Sequence, residues 1–193
     1  MKGRRDDLLP PTSLRVGRGE LLLVTAERQD QRTALALTIS GRMKPTGGRM
    51  SWDANERTKS LRLSSALVDS PNVNEPEQHL SVRDLVTEDL ALIPRRYRGA
   101  LLSKPWLKVN SFEDIADLWT EQLAPDRRIE LLTALALANP HTDLLVVDSP
   151  TGTVPTLRTG SRGWKSWRTT PAGRSPSSSP LLPSRQRGRD RPP

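Results

Sequence analysis

Apolar and polar positions alternate along the first 150 residues in two different rhythms. Residues 13–16 and 20–25 (ELLLVT) carry short apolar runs on either side of the turn GRG, a pattern that predicts two strands. Residues 32–40 then take a helical period, with Gly41 placed as a C-terminal stop. KPTGG predicts a turn, RMSWD (49–53) a short strand, LRLSSALV (61–68) a longer one, and NVNEPEQH a loop.

Helices dominate the next stretch. Ser81-Val-Arg-Asp84 has the form of a capped helix start, and Val82, Leu85, Val86 and Leu90 fall on one face. Ser111-Phe-Glu-Asp114 predicts a second start, with Ile115, Trp119 and Gln122 at helical spacing, and places Phe112 and Trp119 in core packing. Pro125 suits a first helical turn, so DRRIELLTALALA (126–138) predicts a helix ended by Asn139-Pro140. DLLVVD (143–148) is a short, fully apolar strand that closes on a carboxylate, the character of a strand inside a parallel sheet. The fold class expected from this order is α/β.

Composition changes this picture mainly at the C-terminal end. The 193-residue chain has a net charge of +8, but nine of its 30 Lys and Arg and only one of its 22 acidic residues lie in 151–193. The remaining 150 residues hold 21 of each sign, so the basic character belongs to the tail. That tail is rich in Arg, Ser, Pro and Gly, and the expectation is disorder. Its Arg clusters with Trp164 and Trp167 suit RNA or DNA, through phosphate attraction and stacking. An abrupt change of composition near Pro150 also suits out-of-frame reading of a GC-rich gene. With no cysteine there is no disulfide framework or thiolate metal site. His79 and His141 are far apart and read as surface or cap residues. No apolar run approaches the ~20 residues of a bilayer span, and the N-terminus lacks a secretory signal; a cytoplasmic protein is expected.

The order of these segments resembles the nucleotide-binding domain of ABC transporters over residues 12 to 152. LLLVTAERQDQRTALALTISGRMKPTGGRMSWD is similar to the family's strand, phosphate loop, helix, turn and strand; LSVRDLVTEDLAL to the start of its helical subdomain; LAPDRRIELLTALALANPHTDLLVVDSP to its signature segment, helix and Walker B strand. The resemblance implies a P-loop NTPase-like fold incomplete at its C-terminus: an ATPase-like domain over 1–150, with a helical subdomain at about 75–125. It places the phosphate loop at Ala26, Glu27, Arg28, Gln29, Asp30, Gln31, Arg32 and Thr33, the signature at Leu123, Ala124, Pro125, Asp126 and Arg127, and the Q-loop position at Asp69. Mg²⁺ would fall to Thr33 and Asp148, beside ATP.

The departures lie on the chemistry. Ala26 and Gln31 replace glycines whose φ > 0 lets backbone N–H groups converge on phosphate. Glu27 and Asp30 add negative charge there, and Arg32 stands where the family has Lys, either as a phosphate contact or as a plain surface cation. Ser149 occupies the place of the catalytic Glu and is a poor general base, Asp126 opposes an anion at the signature, and no switch histidine follows. No residue is therefore assigned a catalytic role. The resemblance implies a docking module for a membrane permease-type protein at the inner face of the membrane, as a homodimer or paired with another ABC ATPase. The alternatives are a slow Mg-dependent ATPase and nucleic-acid binding by the tail.

Overall fold

The computed structural model describes residues 8–98 and 102–148. The 151–193 tail, Ser149 and the readings attached to them lie outside the described residues. Eight regular elements follow one another: α1 (Gln29–Ile39), α2 (Thr58–Ser64), β1 (Ser65–Val68), α3 (Val82–Leu92), α4 (Arg95–Arg98), α5 (Ser103–Val109), α6 (Pro125–Ala138) and β2 (Leu144–Val147). The described residues contain helices and a two-stranded parallel sheet. No helix among them is long and apolar enough to cross a membrane.

β1 and β2 pair in parallel from Ser65↔Leu144 to Val68↔Val147. Side chains alternate between the two faces of a strand, so each face needs its own cover. Leu67 and Val146 face α1, where they meet Ala36 and, at its margin, Leu37 and Ile39. Val68, Leu145 and Val147 turn to the opposite side and join the larger core. That core is built from Val82, Leu85, Val86 and Leu90 of α3, Trp106 and Leu107 of α5, and Leu131, Leu132 and Leu135 of α6. Apolar residues on both faces are what a parallel strand between two helical layers requires.

Local sequence accounts for the ends of several helices. The Ser81 hydroxyl accepts the Asp84 N–H at 3.1 Å and caps α3. Pro125 opens α6, where its missing N–H costs nothing. Gly41 closes α1 with φ 70°, and a Cβ there would lie 2.8 Å from the Thr58 carbonyl and 2.9 Å from the Arg62 nitrogen. Glycine is thus required both by conformation and by the close approach of α2.

Five expectations are corrected. Residues 13–16 and 20–25 form no strand, and Leu21, Leu22, Leu23 and Val24 are exposed. An apolar run becomes a strand only with a ladder partner, and these residues have none among those described. RMSWD contributes only an isolated bridge, Trp52 to Asn55. The 61–68 strand is helical up to Ser64, because β2 supplies partners only from Ser65 onward. Residues 111–122 form two 3₁₀ turns, Glu113–Ile115 and Thr120–Gln122, in place of one helix. Their carbonyls are committed elsewhere: Leu118 and Ala116 accept the Val82 and Arg83 N–H groups at 2.9 and 3.0 Å, satisfying the start of α3. Phe112 is buried and stacked on Trp106 at 5.8 Å, whereas Trp119 is exposed and meets His79 edge-on.

Two stability predictions follow from this packing. Leu131, wholly buried in α6, should cost about 2–5 kcal/mol when truncated to Ala, while Leu63→Ala, on the open side of α2, should stay within about 0.5 kcal/mol in urea unfolding. Burial, then Glu88, push the Asp89 carboxyl above its ordinary value of 3.8. The folded state then favours the protonated acid, so this contribution is present below that value and lost as pH rises through the raised one. Asp89→Asn should raise the thermal midpoint at neutral pH, and the gain should vanish near about pH 3.

Candidate functional site

Parallel pairing brings the C-terminal ends of β1 and β2 together, and the chain there carries Asp69, Ser70 and Asp148. The first turns of α1 lie against the same end. Asp148 is only 4% exposed, and both of its oxygens are engaged. Oδ2 accepts the Thr33 hydroxyl at 2.7 Å and the Ser70 hydroxyl at 2.8 Å. Oδ1 accepts the Gln29 amide at 3.2 Å, and that amide also reaches the Thr33 oxygen at 3.0 Å. Thr33 and Asp148, named from sequence as a pair of oxygen ligands, are thus in direct contact across 115 residues.

Arg32 completes the cluster from above. Its guanidinium donates to Gln29 Oε1 at 2.6 Å, and through that amide the cation and the buried Asp148 carboxylate are linked. The same guanidinium turns back on its own loop, donating to the Ala26 carbonyl at 2.8 Å and the Glu27 carbonyl at 3.3 Å. Arg28 and Asp30 pair with each other at 2.6 and 3.0 Å, away from Asp148, and Arg28 holds the Asp30 carboxyl below its ordinary value. Gln31 donates its N–H to Asp30 Oδ1 at 2.9 Å.

This loop is the reverse of an anion cradle. A polyphosphate needs converging N–H donors, produced by residues with positive φ. None of residues 26–33 has positive φ, and the loop presents carbonyl oxygens to an internal cation. The residues present do not fit a nucleotide phosphate. For a metal ion, Thr33 and Asp148 supply neighbouring oxygens, but those oxygens already hold one another. Among the described residues no group of three or more His, Cys, Asp or Glu could hold a metal.

The other sequence-derived positions form a second cluster. Asp69, buried at φ 50°, receives Arg128 at 2.6 and 3.2 Å. This pair lines a cleft of about 240 Å³, together with Pro71, Glu75, Leu123 and Pro125. Of the signature-like residues, Leu123 is buried, Ala124 and Pro125 form the start of α6, and Asp126 is exposed. Arg127 points the other way: it pairs with Asp114 and Glu130 at 2.9 and 2.7 Å and lies 4.5 Å over the Phe112 ring. Sequence reasoning did not anticipate Ser70 or Arg128. Ser70 sits one position after Asp69 and could have been found from that place at a strand end; Arg128 gave no signal, being an ordinary helix cation 59 residues away.

No protein-family model matches the sequence, and no curated protein matches it.

Removal of the acceptor tests the cluster. Asp148→Ala leaves the Thr33 and Ser70 hydroxyls without their partner in a buried setting and should cost about 2 kcal/mol or more. Asp148→Asn keeps one acceptor oxygen and should cost clearly less. Equal losses in chemical denaturation would show that the two hydroxyl bonds do not hold the strand ends.

Proposed function

We propose that this chain is a non-hydrolysing docking module on an α/β plan like that of ABC-transporter ATP-binding subunits, working with a membrane permease-type partner. One observation carries the reading: Thr33 and Asp148 meet at the ends of the parallel strands, where such a subunit would hold Mg²⁺, yet Asp148 is occupied by three protein donors. The inward turn of Arg32 onto the Ala26 and Glu27 carbonyls supports the same conclusion. Asp126, in the first turn of α6, adds a negative charge where an anion would need positive potential. The helices α3 to α6 carry exposed side chains, among them Leu92, Leu102 and Val109, that a partner could cover.

Calorimetric titration of the full chain with ATP and ADP, with and without Mg²⁺, tests the proposal. No saturable heat at millimolar nucleotide is expected from a protein shown to be folded by circular dichroism. Saturable, Mg-dependent binding that Thr33→Ala and Asp148→Ala both abolish would replace this reading with that of a weak Mg-ATPase subunit.

A further inference from the structure

We propose that the outward face of α5, with the residue that precedes it, is a docking patch for an anionic lipid bilayer surface. It uses residues other than those of the strand-end cluster and does not depend on the reading of that cluster.

The helix has two unlike sides. Trp106 and Leu107 point into the core and are almost fully buried. Leu102, Pro105 and Val109 follow one another at i, i+3 and i+7 and so form a single row along the helix, on the flank that adjoins Trp106. All three are exposed, Leu102 at 66% and Val109 at 82%. Val109 is the most exposed large apolar residue described, and Leu92, at the end of α3, follows at 81%. Lys104 and Lys108, four apart and both exposed, make a second row beside the first. Lys104 shares a small groove with Arg83 and Glu113.

Charge is segregated over the same stretch. Residues 90–112 contain five Lys or Arg and no Asp or Glu, although the first 150 residues as a whole are neutral. Arg95, Arg96 and Arg98 supply the other three, in α4. None of these five cations forms an ion pair among the described residues. Aliphatic side chains leaving water beside such cations supply the two terms that bind a helix to an acidic headgroup layer: carbon enters the acyl boundary while cationic groups meet lipid phosphate and carboxylate. A nucleic acid would use the cations and gain little from an aliphatic row, and the aromatic rings that could stack on bases are turned elsewhere. Trp106 is buried and Tyr97 is packed beside the core under Arg96.

The experiment is flotation of the full-length protein with large unilamellar vesicles, either phosphatidylcholine alone or phosphatidylcholine with phosphatidylserine. The parent should float with the anionic vesicles only. Leu102→Gln combined with Val109→Gln should lower the partition coefficient about tenfold or more, and Lys104→Gln combined with Lys108→Gln should lower it similarly and weaken its salt dependence. The nine cations of 151–193 are the same in every protein compared, so their contribution cancels. Circular dichroism melts should be unchanged, since the substituted side chains face water. The proposal is overturned if the apolar double variant floats like the parent, if the parent stays in solution, or if neutral vesicles carry it equally well. A parallel fall in binding to single-stranded RNA by the apolar variant would also overturn it, assigning the face to nucleic acid.

Discussion

Four rungs of parallel pairing between β1 and β2 organise the described part of this protein. They are short, and a two-stranded ladder alone would not persist in water. What makes them hold is cover on both sides: α1 on the Leu67 and Val146 face, and the α3–α5–α6 core on the Val68, Leu145 and Val147 face. Remove either layer and the apolar strands would face solvent. The pairing in turn fixes where Asp69 and Asp148 stand, since each follows directly on its strand. The candidate site is therefore a by-product of the sheet's register: a shift of one residue would reverse which strand side chains meet α1.

Around Asp148 the protein has solved an electrostatic problem internally. A buried carboxylate is costly unless it is hydrogen-bonded and balanced. Here three donors satisfy it, and Arg32 provides the compensating charge through the Gln29 amide. An arrangement of this kind favours a fixed structure over an exchangeable ligand, because any incoming cation would have to displace hydroxyl and amide donors already in place. The Asp69–Arg128 pair repeats the principle one strand away. Both clusters hold long-range elements together, joining α1 to β2 and α6 to the end of β1.

Legibility in the sequence followed how local each determinant was. The α3 cap at Ser81, the Pro125 start of α6 and the apolar β2 run are set by neighbours a few residues apart, and each could be read directly. The same cue failed at Ser111, whose Ser-Phe-Glu-Asp pattern matches that of Ser81: the carbonyls of 116 and 118 serve the N-terminus of α3, a tertiary demand with no trace in local pattern. The ELLLVT run failed for a related reason, since strand propensity does not say whether an edge will be there to pair with. At the site, Thr33 and Asp148 were named from residue type and order, and the structure brings the two into contact. The direction in which Arg32 turns, and the arrival of Ser70 and Arg128, depend on side-chain geometry that residue order does not contain.

The wide separation of the two strands bears on how the chain comes to its fold. Ser70, at the end of β1, and its acceptor Asp148 are 78 residues apart. Closing so long a loop carries an entropic cost that local helices do not face, so the helices between should gather first and the ladder close late. During synthesis β1 emerges while β2 is still to be made, an interval of several seconds at about 5–20 residues per second. Through that time an apolar strand, and the hydroxyls destined for Asp148, wait without partners. Among the described residues, the segment up to Ser70 is thus the part most dependent on prompt completion, or on temporary shelter, while the helical region stands on contacts of its own.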